Sequence, residues 1–392
     1  MTEVVAGGGV EAQAASSTAM QVRAKNRMDR PCRSRLRAAM LASSWLPRFN
    51  RAVSQRGFMR ASNYDVVAVG NAIIDIIKTV PDDFLLRENI VKSAMSLINE
   101  ARADHLTEAF GVDGVVAAGG SNANAMTGVA SFGGRAGYMG KVADDALGAR
   151  FTQEFRAAGV AFATPPLKAP PGTARSLIAV TPDGHRSMNT YLGASSLLGV
   201  KDIDRALIEA AKITFLEGYL FDRDEAKAAF VHAAEIAHSA ERKVSITLSD
   251  LFCVERHREG FRHLVAGHID ILFSNEREIL GLYETEDLGV AIDTARGLCP
   301  VVVVTRSEQG SVMVTKDGVL AVPAYPVETV VDTTGAGDLY AAGFLFGYAR
   351  GRPLPECGAL ASLAAAEVIS HVGPRPEVSL KELAIAGGLS VS

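Results

Sequence analysis

The chain of 392 residues predicts an α/β fold of three layers, α/β/α, with a mostly parallel central sheet and a small β lid at its edge. Three observations carry this. Between residues 211 and 305, strand-like apolar runs alternate with helical stretches, the pattern of strands joined by crossover helices. The runs are apolar at successive positions, as in Val301-Val302-Val303-Val304, which suits strands covered on both faces. Residues 173–191 instead alternate apolar and polar with no adjoining helix, which reads as a hairpin outside the repeat.

The bulk properties narrow the function. Hydrophobic residues make up 48% of the chain, enough for a sizeable core, and the net charge of −4 argues against a general nucleic-acid binder. No run reaches the roughly 18 uncharged apolar residues of a membrane span. Cys32, Cys253, Cys299 and Cys357 are far apart and form no CxxC, so neither a zinc ribbon nor a redox motif is present, and a reducing compartment is expected. Residues 1–63 hold eleven Arg or Lys against three acids, leaving −12 for the remainder. Residues 1–62 are set apart from the fold as a disordered or targeting-like extension. Their composition resembles a transit peptide, and Met59, just before the first strand, equally suits a start further along the chain.

In chain order, 64–70 is a buried strand and 71–77 continues it. An excursion over 78–98 leads to a helix at 99–110. Gly119-Gly120 allows backbone to approach a ligand, and the small residues of 123–130 form a closely packing helix. Residues 133–142 are a turn and a strand. Gly140-Lys141 is not a phosphate loop, because Val142 follows where Ser or Thr is required and that motif's first glycine falls on Arg135. A helix over 144–158 has acids at its start and Gly159 past its end. Residues 160–171 are Pro-rich and irregular, and the hairpin follows around Thr181-Pro182-Asp183-Gly184. Segments 76–98 and 160–192 together make the lid. Strands at 213–218, 243–248, 269–275 and 301–305 then alternate with helices at 224–240, 254–265 and 276–282. An edge hairpin turns at Lys316-Asp317-Gly318, a strand-like segment covers 321–331, and apolar helices occupy 339–349 and 356–370.

Most of the chemistry lies in Asp332-Thr333-Thr334-Gly335-Ala336-Gly337-Asp338. The amides of Gly335, Ala336 and Gly337 are uncovered where a helix begins, and such amides attract anions. A carboxylate beside a phosphate site, Asp338, has a task in taking the proton of an attacking hydroxyl. A turn followed by a helix cap is the plainer account of the same letters. Asn71 and Asp75 follow a strand's C-terminal end, where α/β sheets bind ligands. Asp75 can accept two hydrogen bonds from a vicinal diol and Asn71 can add one; the alternative for Asp75 is a turn or cap. A dinucleotide-dependent oxidoreductase is disfavoured, because Gly70 is followed by Asn71-Ala72-Ile73 rather than a Gly-rich fingerprint.

Over residues 63–376 these motifs resemble the ribokinase or PfkB family of sugar and nucleoside kinases. The segment 332–338 resembles that family's C-terminal signature, and Gly119-Gly120-Ser121-Asn122-Ala123-Asn124 its N-terminal one. Asn275-Glu276-Arg277-Glu278 is similar to its N-x-x-E motif, and Thr305 to Gly310 to its T-x-G-x-x-G segment, with Ser307 where a glycine is usual. The resemblance implies a ribokinase-like kinase domain over 63–385, using ATP and Mg²⁺. It implies Asp338 as base, with Gly335, Ala336 and Gly337 as the anion hole. Asn71, Asp75, Gly119, Gly120 and Asn124 would bind the acceptor. Asn275, Thr305, Gly310, Thr334, Gly335 and Gly337 would bind the nucleotide. Asn275 and Glu278, three apart at a helix start, would hold Mg²⁺ through water, or else cap the helix. K⁺ is a further implied cofactor, with Asp332 and Thr334 as ligands and Gly373 nearby. Residues 70–75 and Leu192-Gly193-Ala194-Ser195 resemble the adenosine kinase branch. Adenosine is thus the leading acceptor, through a ribose-type 5′ hydroxyl, with a free sugar as runner-up and a non-catalytic nucleoside sensor as a distant third. Phe84, Phe162 and Tyr191 are candidates for clamping a purine, or are lid core. The implied protein is a monomer or homodimer acting on a small molecule, with no nucleic-acid or membrane partner. It would be cytoplasmic, or reside in an organelle matrix if residues 1–62 are a transit peptide.

Overall fold

Valine-rich runs build the central sheet. A computed structural model describes residues 62–391, Val112 excepted, so the expectations for residues 1–61 lie outside it. The larger sheet runs from edge to edge as Gly318–Val322, Ser311–Thr315, Val301–Thr305, Ile271–Asn275, Lys243–Thr247, Ala211–Glu217, Tyr64–Val69, Ala136–Met139 and Val160–Phe162. All pairings from Val160–Phe162 across to Val301–Thr305 are parallel, and the last two strands return antiparallel.

Successive side chains of a strand point to opposite faces, so each buried strand feeds two cores. Val66, Ala68, Phe215, Phe273 and Val303 join one core, and Val67, Val69, Leu216, Leu272 and Val302 the other. Ser121–Ser131, Ala336–Ala349 and Leu354–Val368 cover the first face. Asp224–Ser239, Leu251–Gly267, Glu276–Tyr283 and Leu288–Arg296 cover the second. This is the three-layer architecture the alternating pattern predicts. No helix among the described residues is long and apolar enough to cross a membrane.

A smaller sheet has the order Met95–Leu97, Arg186–Tyr191, Ala174–Val180, Ile73–Thr79 and Val115–Gly119. The hairpin across residues 181–185 forms as expected. Three expectations need correction. Residues 71–77 do not continue the first strand: the chain leaves the large sheet after Val69, and Ile73–Thr79 pairs within the small one. Residues 160–162 are an edge strand of the large sheet rather than irregular chain. The strand-like stretch 321–331 ends at Val322, because Pro323 and Pro326 have no N–H to offer a ladder.

In-register parallel strands bring their C-terminal ends to one edge: Val69 lies beside Leu216, and Asn275 beside Thr305. The buried Asn122 side chain donates to the carbonyls of Val69 (3.2 Å) and Phe215 (3.1 Å), pinning the start of Ser121–Ser131 to that edge.

Candidate active site

Residues 332–335 form a short loop that leads into Ala336–Ala349, whose first turn carries Asp338. Gly335 sits at φ +81°, and a side chain there would collide with Pro374. Asp332 anchors the loop. Its Oδ1 accepts from the Thr334 amide (3.0 Å) and hydroxyl (2.8 Å), its Oδ2 accepts from the Gly373 amide (2.9 Å), and Oδ2 is ion-paired with Arg186 Nη2 (2.6 Å). At the other end, Asp338 accepts from Ser121 Oγ at Oδ1 (2.6 Å) and Asn124 Nδ2 at Oδ2 (3.0 Å). Burial pushes the Asp338 carboxyl up to about 6, against the pull of those two donors.

The loop and this helix start form a wall shared by two cavities. Thr334, Gly335 and Asp338 line a cavity of about 270 Å³, while Thr333, Ala336 and Gly337 line one of about 700 Å³. Asn71, Asp75, Gly120 and Asn124 also line the smaller cavity, together with the apolar side chains Ile73, Met95, Leu97, Ile178, Met188 and Leu192. Gly119 lies behind it, and any side chain there would strike the Asp75 carboxylate. Thr305, Ser307 and Gly310 line the larger cavity. Ser307 adopts φ +51°, so the departure from glycine keeps the left-handed backbone a glycine would take.

Three placements differ from expectation. Thr334 and Gly335, read as nucleotide contacts, face the smaller cavity. The Ala336 amide closes a turn on the Thr333 carbonyl (3.2 Å), so the uncommitted donors at this helix start are the amides of Gly335, Gly337 and Asp338 among the described residues. The aromatic candidates do not reach either cavity: Phe84, Phe162 and Tyr191 are buried in the core.

Asn275 and Glu278 form a reciprocal cap. Glu278 N donates to Asn275 Oδ1 (2.9 Å), while Asn275 N and Nδ2 donate to Glu278 Oε2 (3.0 Å) and Oε1 (2.5 Å). Burial pushes Glu278 up to about 7. Each Glu278 oxygen keeps a lone pair, which fits a water-mediated Mg²⁺ contact. No cluster of three or more His, Cys, Asp or Glu able to hold a metal exists among the described residues, so such an ion would draw ligands from phosphate oxygens. Potassium does not fit Asp332: its charge is already met by the Arg186 guanidinium 2.6 Å away, and its oxygens accept three hydrogen bonds from Thr334 and Gly373.

Several site residues carried no sequence signal. Glu217 ends its strand and lines the smaller cavity. It accepts from the Asn71 side chain (2.8 Å) and the Asn122 amide (3.0 Å), and burial pushes it up to about 7. Burial also lifts Asp75 to about 7, against the charges of Arg375 and Arg186, with Asp338 adding to the rise. Three carboxyls thus share the cavity, and their crowding is legible only once distant strands are placed together.

A family profile described as pfkB family carbohydrate kinase matches residues 101–380. The chain is 52% identical to the adenosine kinase of Sinorhizobium meliloti, whose structure superposes with a TM-score of 0.78 over 83% of this chain and 100% of that one. A probable sugar kinase protein from Rhizobium etli is 48% identical, with a TM-score of 0.79 over 84% of this chain and 100% of that one. A cytidine kinase of Thermococcus kodakarensis is 41% identical over 121 residues, spanning 30% of this chain and 43% of that protein.

Proposed function

The chain belongs to the pfkB family of carbohydrate kinases, phosphotransferases with a hydroxyl acceptor, and we propose that it moves the γ-phosphoryl group of ATP to the 5′ hydroxyl of a nucleoside, adenosine foremost. The observation that carries this reading is the shared wall: one loop faces a cavity holding Asp338 on one side and a cavity holding Gly337, Thr305 and Gly310 on the other. The acceptor occupies the first and the nucleotide the second, so the two ligands meet at 335–338.

Asp338 takes the hydroxyl proton as the oxygen attacks phosphorus and the bond to the β-phosphate oxygen breaks. With a value of about 6 it is ionised at neutral pH, and Ser121 and Asn124 fix its orientation while leaving a lone pair on each oxygen. The amides of Gly335 and Gly337 receive charge from the phosphoryl oxygens; one such donor is worth about 10²–10³ in rate. Mg²⁺, held through water at Glu278, would offset the charge on the phosphate oxygens. Asn71, Asp75 and Asn124 hold the ribose, Gly119 gives Asp75 its room, and the small sheet acts as the lid of a single kinase domain over 63–385.

A nucleoside is favoured over a free sugar because the smaller cavity is two-sided: carboxyls and amides on one part, aliphatic and methionine side chains on the other. A sugar would leave the apolar part in contact with water. The likeness to a probable sugar kinase keeps the free sugar as the second reading. Coupled detection of ADP over adenosine, other nucleosides, ribose and fructose decides it. Adenosine should give the highest kcat/KM; a preference for ribose or fructose would reverse the acceptor. ADP at background with every acceptor would sink the kinase reading and favour a sensor.

A further inference from the structure

Among the described residues, Arg186 and Asp332 form the ion pair that ties the small sheet to the loop 332–335. Both side chains are nearly sealed from solvent, 11% and 7% exposed, and the contact is 2.6 Å. Arg186 Nη1 is buried without a partner, so Asp332 is the anchor of this guanidinium.

The position of Asp332 poses an electrostatic problem. A carboxylate three residues before Gly335 places negative charge beside amides that must receive an anion. A monovalent cation bound to Asp332 is one solution, and the sequence resemblance implies it. Here the Asp332 oxygens accept from Thr334 and Gly373, and the positive charge comes from the Arg186 guanidinium paired with Oδ2. The rest of the loop is held from the other side, where the Val331 and Asp332 amides donate to the Ile369 carbonyl (2.8 and 3.3 Å).

We propose that Arg186 is a positioning residue that takes the place of a monovalent cation: from the small sheet it neutralises Asp332 and orders the phosphoryl-binding loop, so that the kinase works without potassium. This rests on the kinase reading above. It also makes loop order depend on the small sheet being docked, because the charge arrives on a strand of that sheet.

The test compares wild type and Arg186→Met in potassium, sodium or tetramethylammonium chloride at matched ionic strength, by ADP release with adenosine and by melting temperature. Wild type should show the same rate and the same melting temperature in all three salts. Arg186→Met should lose about tenfold or more in kcat, as for loss of one preorganised charge contact. It should melt lower, and potassium should restore rate and melting temperature more than tetramethylammonium does. A wild-type rate that collapses without potassium overturns the proposal, as does an Arg186→Met enzyme with wild-type turnover. If Arg186→Met does not fold, Arg186→Lys, which keeps the charge without the fork, replaces it, and potassium dependence of the wild type still overturns the idea. If wild type releases no ADP with any acceptor, the kinase reading has failed, and the melting series still decides the cation: a potassium-specific rise in wild type overturns the role given to Arg186.

Discussion

Asp332 and Asp338 bracket the same loop and helix start and receive opposite treatment. Asp332 accepts three hydrogen bonds and is ion-paired with a guanidinium, so its charge is offset in place. Asp338 has two neutral donors and a buried setting that lifts it to about 6. A carboxylate held by an ion pair is a fixture of the fold. A carboxylate with spare lone pairs and a raised value can take a proton near neutral pH. The difference is one of partners, since residue type and segment are the same.

The sharpest way to break the comparison is Asp338→Asn. The amide keeps the shape and cannot accept the proton, so kcat should fall by about 10²–10⁴. Stability should be kept or slightly raised, because burial disfavours the ionised form that the substitution removes. Steady-state ADP release and a urea melt measure both. Wild-type turnover in this variant would end the assignment of the base.

Asp332→Asn should show the reverse balance. It leaves the Arg186 guanidinium nearly buried without its counter-charge, and breaking such a pair costs on the order of 3 kcal/mol. Chemical denaturation should report that loss, while turnover of the folded variant falls less than for Asp338→Asn. Equal stability of the two variants would show that the loop does not depend on its anchor.

The sequence carried the fold class, because continuous apolar runs such as Val301–Thr305 have few other uses. It carried Asp338, Asn124 and Asp75, whose motifs are local. It did not carry Glu217 or Arg186. Glu217 reads as one polar letter at the end of an apolar run, and its role appears only when Asn71 and Asn122 arrive from other elements. Arg186 lies 146 positions before its partner, in an alternating strand where an arginine reads as a solvent-facing residue. The sheet switch after Val69 was hidden for a related reason: apolar residues continue on both sides of Gly70-Asn71-Ala72, and hydrophobicity does not say to which sheet a strand belongs.

The smallest expected effect gives the finest test of the comparison. Asp338 works when deprotonated, so its contribution to kcat should be level above its value of about 6 and fall by about tenfold per pH unit below it. Ser121 donates to Oδ1 at 2.6 Å and favours the ionised form, so it holds the value down against burial. Ser121→Ala removes that donor, leaves the carboxylate in the same buried place, and should move the inflection to higher pH. At pH 8 the variant should run close to wild type, because the base is then ionised in both; at pH 6 it should lag. A pH–rate profile for adenosine measures the shift. An unmoved inflection would mean that Asp338 is tuned by burial and Asn124 alone, and that its contrast with Asp332 rests on the missing guanidinium and not on the count of donors.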